Sequence, residues 1–595
     1  MRRSSVVALA ATLLPATLAV ASLPTAQAAP RATGKVPTAI GTGGAVATVD
    51  AEATRVGLEV LRKGGNAVDA AVAAAATLGV TEPYSAGIGG GGFLVYYDAA
   101  SGDVHTIDGR ETAPAAMGAD AFVENGTPIP FADAVSSGLS VGVPGTPLTW
   151  QEALHRWGSI SLAEALRPAW QVASRGFVVD QTFHDQTAAN AARFDDFTST
   201  AELFLPGGEP PRVGSLFRNL DVAHTYRLLG REGVGVLYGG GRLGREVVAT
   251  VQDPPVAPDV TRDVRPGLME ISDLRAYTAP LREPTESSYR GLDLYGMSVP
   301  SSGGIAVGET LNILEGYDLG SLDRTTALHA WFEASALAFA DRNRYVGDTG
   351  QTPVEELLSQ EFADERRCEI DLERAATKPV LPGNPDGEYS GCGTAVPGDA
   401  ELVRGPSTTH LSTADRWGNV VSYTLTIEQT GGSGIVVPGR GFLLNNELTD
   451  FNFTPTQGNA PDPNLPGPGK RPRSSMSPTI VLDDGRPLLA VGSPGGATII
   501  TTVEQVLLNR IDFGMTLPEA VAAPRASQRN LANTQAEPAF LSADGPALAG
   551  RGHSLVSTAE IGAVAAIELL PGGRFLAAAE PERRGGGSAG VVRPD

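Results

Sequence analysis

The spacing of apolar residues changes twice along this chain. From Ala45 to Pro83, "AVATVDAEATRVGLEVLRKGGNAVDAAVAAAATLGVTEP" reads as a helix ending at Gly64-Gly65, then an Ala-rich helix stopped before Pro83, together a helical hairpin. In "SAGIGGGGFLVYYD", Gly87, Gly89 and Gly92 satisfy GxGxxG, but a helix precedes them and a strand follows. That reverses the strand-turn-helix order of a dinucleotide site, so the segment reads as a tight helix-to-strand turn. Residues 145–350 read as mostly helical, in patterns such as "SLAEALRPAWQVASRG" and "ALHAWFEASALAFADRNRYV". Residues 376–407 have almost no apolar periodicity and many breakers, which predicts an exposed connection. Beyond it, runs of Val, Ile, Thr and Leu around Gly-Asn, Asp-Gly and Gly-Gly turns predict antiparallel hairpins. Among them "TIITTVEQVLLNRIDFG" carries Val503, Val506, Leu507 and Ile511 at helical spacing and stops at Gly514. The chain thus passes from helices to sheet-plus-helix near residue 408.

Composition fits a large core: 595 residues, 42% hydrophobic and 19% charged. The first segment has Arg2 and Arg3, an apolar run with Pro15, and a small-x-small site at Ala26-Gln27-Ala28, so residues 1–28 read as a secretory signal. No other apolar run approaches the roughly 20 residues needed to span a bilayer. The expected mature protein is secreted and has no membrane span. The formal charge of −22 becomes more negative once two signal arginines are removed, which argues against nucleic acid and favours a small substrate carrying an ammonium group. Cys368 and Cys392 lie in a chain expected to meet an oxidising compartment and read as a disulfide. With no third Cys or nearby His, a zinc site is the weaker reading, and no metal is expected.

Thr408 is the first residue of a regular strand after the connection. Cleavage between Ser407 and Thr408 would place a free α-amine beside its own hydroxyl. A threonine hydroxyl is a poor nucleophile, and an N-terminal amine with pKa of about 8 can serve as its general base. His410 shares a strand face with Thr408, but side chains two apart on a strand are about 6 to 7 Å apart at the backbone, too far for an easy direct hydrogen bond. A structural role is expected for it.

"STTHLSTADRWGNVVSYTLT", "GSGIVVPGRGFLLNNELTDF", "PGKRPRSSMSPTIV", "VGSPGGATIITT", "GIGGGGFLVYY" and "IDGRETAPAAM" resemble, in order, the signature segments of the γ-glutamyltransferase family. The resemblance runs from about residue 36 to the "EPERRGGGSAG" tail. It implies an α+β fold, the four-layer αββα sandwich of the N-terminal nucleophile hydrolases. Two subunits from one autocleaved precursor would form it: a large one of residues 29–407 and a small one of residues 408–595. Carried over residue by residue, it makes Thr408 the processing and catalytic nucleophile and Thr426 the hydroxyl supporting it. Arg110, Ser474 and Ser475 match the carboxylate-binding positions, Glu447 and Asp450 the ammonium-binding positions, and Gly495 and Gly496 the donors to a tetrahedral oxyanion.

Two features depart from the family pattern. Glu428, in "TIEQT", stands where many members have Asn, keeping an acceptor while making the pocket more negative. The lid segment, residues 451–470, reads as short, rich in Pro and Gly and without Tyr, an arrangement expected to close poorly. The activity implied is that of a γ-glutamyltransferase and glutathione hydrolase, passing a γ-glutamyl group from glutathione or other γ-glutamyl compounds to water or an amino-acid or dipeptide acceptor. No cofactor is implied. A cephalosporin (glutaryl) acylase or poly-γ-glutamate hydrolase of the same fold is the near alternative; a catalytically dead extracellular binding protein is the alternative of a different class.

Overall fold

The computed structural model describes Met1, residues 34–389, Cys392, Val396 and residues 407–595. Residues 2–33, which hold most of the expected secretory signal, and most of residues 390–406 lie outside the described residues. In chain order the elements that build the site are β1 (Thr38–Thr48), α1 (Ala51–Arg62), α2 (Ala67–Thr81), β2 (Gly91–Tyr97), β3 (Val104–Asp108), α3 (Thr146–Trp157), α4 (Leu162–Arg175) and α5 (Gln181–Asp195). There follow β4 (Leu281–Arg282), β5 (Thr285–Tyr289), β6 (Leu292–Gly296), α6 (Gly303–Glu315) and α7 (Arg324–Tyr345). Beyond the connection come β7 (Thr409–Asp415), β8 (Val420–Thr426), β9 (Thr479–Asp483), β10 (Arg486–Gly492), α8 (Thr498–Ile511), β11 (Ala565–Leu570), β12 (Arg574–Ala579) and β13 (Ser588–Pro594).

Local chemistry sets the ends of the helical hairpin. The Asp50 side chain accepts from the Ala53 N–H to start α1, and Gly64 at φ +97° follows its end. Asn66 and Asp69 form a reciprocal capping box on α2, whose every residue is buried. The expected first helix is too long, however: Ala45–Thr48 belong to β1, and the helix begins only after Asp50. A short apolar run buried on both faces has no periodicity with which to declare itself a strand. The mostly helical reading of residues 145–350 also needs correction. Residues 281–296 supply β4, β5 and β6, the last two joined through Arg290 (φ +54°) and Gly291 (φ +77°).

Among the described residues, thirteen strands join in the order β4-β3-β2-β8-β7-β1-β12-β11-β10-β9-β6-β5, with β13 along the other edge of β1. β1 is the hinge of the arrangement. Its first half, Thr38–Thr42, pairs antiparallel with β12, and Gly44–Ala47 pairs antiparallel with β7. The strands therefore fall into two leaves that fold face to face. Between them lie Ala47, Val95, Ala414, Val420, Ile480, Ala490, Ile567 and Ala577. Ser412 Oγ donates to the Ala565 carbonyl at 3.2 Å and Ser422 Oγ to the Val491 carbonyl at 3.1 Å, stitching one leaf to the other. Helices α2, α3 and α4 cover the outer face of one leaf, against Leu94, Leu411 and Tyr423. Helices α6, α7 and α8 cover the other, against Val481, Val491 and Ala566. The result is four layers, αββα.

The strand begins at Thr409, one residue later than the sequence suggested, and alternation along β7 fixes where the preceding residue, Thr408, points. Leu411 faces the helices, whereas His410, Ser412 and Ala414 face the other leaf, so Thr408 shares that inner face at its open end. His410 is fully buried, bonded to Thr424 Oγ1 at 2.9 Å and Ser412 Oγ at 3.2 Å. Burial pushes its pKa down to about 3, so it is a neutral packing residue, as expected. Cys368 and Cys392 are bonded, with Cα atoms 5.1 Å apart.

Candidate active site

The site lies where the inner faces of the two leaves end together. Thr409 pairs with Leu425, which brings Thr408 beside Thr426 at the end of β8. Both threonines are buried, and their Oγ1 atoms are 3.4 Å apart. The Thr408 hydroxyl donates to the carbonyl oxygen of Ser407, the residue before it. Thr426 Oγ1 accepts the Glu428 N–H at 2.8 Å, which leaves its own proton free to point elsewhere. The glycine-rich turn explains itself here: a Cβ at Gly90 would stand 2.0 Å from the Thr426 carbonyl oxygen. That turn is a close-packing device against the end of β8.

A cavity of about 60 Å³ opens in front of Thr408. Its walls bring together Arg110, Thr426, Glu428, Glu447, Asp450, Ser474, Ser475 and Gly496 from segments far apart in the chain. Gly495 adjoins Gly496 in the turn from β10 into α8, with φ of +143° and +57° respectively. The positive φ at Gly496 and the nearby N-terminus of α8 favour negative charge at this spot. A larger cavity, about 990 Å³ between α1 and α4, lies elsewhere and contains none of these residues.

Arg110 organises the far wall. Its guanidinium bonds Glu447, Asp450 Oδ2 at 2.6 Å and the carbonyls of Pro472 and Arg473 at 3.1 and 3.2 Å. Burial opposes its charge, but Glu447 and Asp450 outweigh that and hold the guanidinium more firmly protonated than usual. Burial raises the Glu447 pKa to about 8 against the opposing pull of Arg110. Arg110, matched by the resemblance to a carboxylate-binding position, is thus paired directly with Glu447 and Asp450, matched to the ammonium-binding positions. Glu428, at φ +74°, accepts from Asn446 Nδ2 at 2.5 Å, so a neighbouring amide serves the carboxylate.

Four contributors were missed from sequence. Arg342, on the buried helix α7, donates to Ser475 Oγ at 2.7 Å and Ser302 Oγ at 2.7 Å. Arg473 and Asn452 line the cavity. Glu111, beside Arg110, is wholly buried with both carboxylate oxygens lacking a hydrogen-bond partner, and burial with the nearby Glu447 raises its pKa well above the carboxylate range. Residues 451–470, expected to form the lid, are better anchored than their composition suggested. Phe453 stacks on Phe122 at 4.3 Å, and Asp462 accepts from Asn452 at 2.9 Å and from Thr456. Far from this site, His329, Glu333 and His553 offer three ligand atoms within 4.8 Å of one another. The Lys378 ammonium sits 2.7 Å from both Glu333 oxygens and His329 Nδ1 lies 2.7 Å from His553 Nε2, so these groups already partner one another.

Comparison with known proteins decides the family. Its model, described as Gamma-glutamyltranspeptidase, matches residues 53–591. The chain belongs to the γ-glutamyltranspeptidase family. A glutathione hydrolase proenzyme of Bacillus subtilis (strain 168) is 38% identical over 559 residues, which cover 92% of this chain and 91% of that protein. An Acylase ACY 1 proenzyme of Pseudomonas sp. (strain SE83) is 37% identical over 552 residues, covering 91% and 92%. The crystal structure of a cephalosporin acylase from Bacillus halodurans aligns with a TM-score of 0.80 at 30% identity, over 96% of this chain and 99% of that one. The four-layer sandwich is the N-terminal nucleophile hydrolase fold, as the family resemblance implied.

Proposed function

We propose that this chain is a secreted proenzyme that cuts itself between Ser407 and Thr408 and then acts as a γ-glutamyltransferase and glutathione hydrolase. The observation that carries the reading is the Thr408 hydroxyl held against the Ser407 carbonyl at the mouth of a cavity containing Arg110, Glu447 and Asp450. In processing, Thr408 Oγ1 adds to the Ser407 carbonyl carbon, the peptide C–N bond breaks, and the resulting ester is hydrolysed. Ser407 leaves as a carboxylate and Thr408 gains a free α-amine. The large and small fragments then remain together through the shared sheet.

In turnover the α-amine takes the hydroxyl proton as Oγ1 attacks the γ-glutamyl carbonyl. Backbone N–H groups at Gly495 and Gly496 stabilise the oxyanion, and Thr426 supports the nucleophile. The leaving amine carries the proton away. Water or an acceptor amine then resolves the acyl-enzyme. Arg110, Ser474 and Ser475 take the α-carboxylate of the glutamyl head, and Glu447, Asp450 and Glu428 its ammonium.

The test is a denaturing gel with N-terminal sequencing, run beside an assay of p-nitroaniline release from γ-glutamyl p-nitroanilide. Two fragments, the smaller beginning Thr-Thr-His, together with release are expected; a stable single chain overturns the reading. Because Cys368 and Cys392 both precede the cut, the fragments should separate without thiol. The acylase relative supports a second reading, in which glutaryl amides are preferred, and matched glutaryl and γ-glutamyl anilides discriminate the two.

A further inference from the structure

A second cavity, about 380 Å³, adjoins the first. It is lined by Asp185 and Gln186 of α5, by Thr430, Pro494 and Gly495, and by Glu560 and Arg584 from the small fragment. Among the described residues Ser407 alone borders both cavities, and it stands as the partition between them. Gly495 and Gly496, the neighbouring oxyanion candidates, divide likewise, one on each side. Once the acyl group fills the first cavity, the bond from its carbonyl to the amine has to leave toward the second, and processing detaches the partition.

The geometry points to this second cavity as the subsite for the amine portion, with Asp185 and Glu560 selecting amines that carry an additional positive charge over those that carry a negative one. This rests on the γ-glutamyl transfer reading above. Both carboxylates are exposed; Asp185 accepts from Gln181 Nε2 at 2.7 Å and Glu560 from the Arg584 N–H at 3.0 Å, so each keeps acceptor capacity. The cation among them is already engaged. Arg584 Nη1 donates to the Thr408 carbonyl at 2.6 Å and Nη2 to Ser85 Oγ at 2.7 Å, with Glu82 3.7 Å away. Two carboxylates against one committed guanidinium leave the cavity net negative. In the transfer step the neutral α-amine of the acceptor attacks the acyl carbon, the new C–N bond forms, the C–Oγ1 ester bond of Thr408 breaks, and the proton shed by the amine returns to Oγ1 through the Thr408 α-amine. The acceptor's second charge stays in the cavity.

The test uses processed enzyme, γ-glutamyl p-nitroanilide as donor, and glycyl-lysine amide against glycyl-glutamate amide as acceptors, which present the same attacking glycyl amine. The readout is the ratio of transfer products formed in competition. A ratio of about tenfold in favour of the lysyl acceptor is expected at low salt, falling as salt is added and falling toward unity in the double variant Asp185→Asn, Glu560→Gln. A wild-type ratio near one, or one unmoved by both salt and the double variant, overturns the inference. If the double variant does not fold, the salt series on wild type still decides. Absence of p-nitroaniline release by wild type is a different result, and it overturns the donor reading together with this one.

Discussion

The two cavities on either side of Ser407 handle charge in opposite ways. On the donor side Arg110 and Glu447 have side chains only 1% exposed and are held against one another. On the other side Asp185 and Glu560 stand in solvent. Charges removed from water interact strongly and are costly to leave unpaired, whereas exposed charges are screened and act through modest preferences. On the proposed reading the donor side then recognises one head group, and the amine side biases among many partners. Variants at the donor side should then act by large factors and those at the amine side by small ones.

The largest effect removes the proposed nucleophile, Thr408, which lines the first cavity. Thr408→Ala lacks the hydroxyl that attacks in processing and in turnover, so an uncut chain with no p-nitroaniline release is expected. A normal small fragment beginning at residue 408 would break the assignment. Next comes Arg110→Met, which strands Glu447 and Asp450 without their cation. Truncating one member of a buried pair costs about 3 to 5 kcal/mol, so a clear loss in denaturant midpoint and activity is expected, partly recovered by Arg110→Lys. A midpoint unchanged from wild type would show that the cluster is not held by this pairing.

Asp450→Asn sharpens the contrast within the donor side. Asp450 is the more exposed of the two acids, 23% at the side chain, and a substrate ammonium can reach it. Removing one partner of a desolvated charge pair costs about 2 to 5 kcal/mol, or roughly 30-fold and upward in kcat/KM. Turnover of γ-glutamyl p-nitroanilide should fall by at least that lower figure, while the glutaryl anilide holds or rises. If the variant keeps γ-glutamyl activity within a few-fold, the ammonium assignment fails and the acylase reading moves ahead.

Which parts of this site were legible in the sequence follows from where the signal resides. Thr408 announced itself because a strand resumed directly after a stretch rich in breakers, and the remaining assigned residues sit in contiguous motifs. Arg342 did not. It is a charged residue on a helix buried nearly all round, and the hydroxyls that satisfy it, on Ser302 and Ser475, are 40 and 133 positions away. β1 was lost because a Gly-rich strand paired on both edges has no polar face to alternate with. The hairpin of residues 285–296 was lost for the opposite reason. It ends one leaf, with residues such as Glu286 exposed, and its short runs are too polar to stand out among helices. Glu111 lies inside the quoted "DGRETAP", yet only tertiary burial distinguishes it from an ordinary surface acid.

Glu111→Gln is expected to be the mildest change, and it tests whether burial or charge governs this carboxyl. Its native pKa is raised well above the usual carboxylate value, chiefly through burial and then through Glu447, which favours the neutral form in the folded protein. A glutamine then replaces one neutral group by another of similar shape. kcat/KM at pH 7 should stay within about threefold, far from the loss expected at Asp450. Stability supplies the sign. The unfolded chain releases this proton above about pH 4.5, while the native state retains it, so the wild type binds more protons folded than unfolded and loses stability as pH rises through that interval. Glutamine cannot titrate, and the variant should lack that part of the slope. Melting temperatures compared at pH 6 and pH 9 should therefore show the variant gaining on the wild type at the higher pH. A variant that instead loses activity 30-fold at pH 7 while remaining folded would mean that Glu111 works as a charge, and the donor cavity would then hold one more anion than its buried, unpaired oxygens imply.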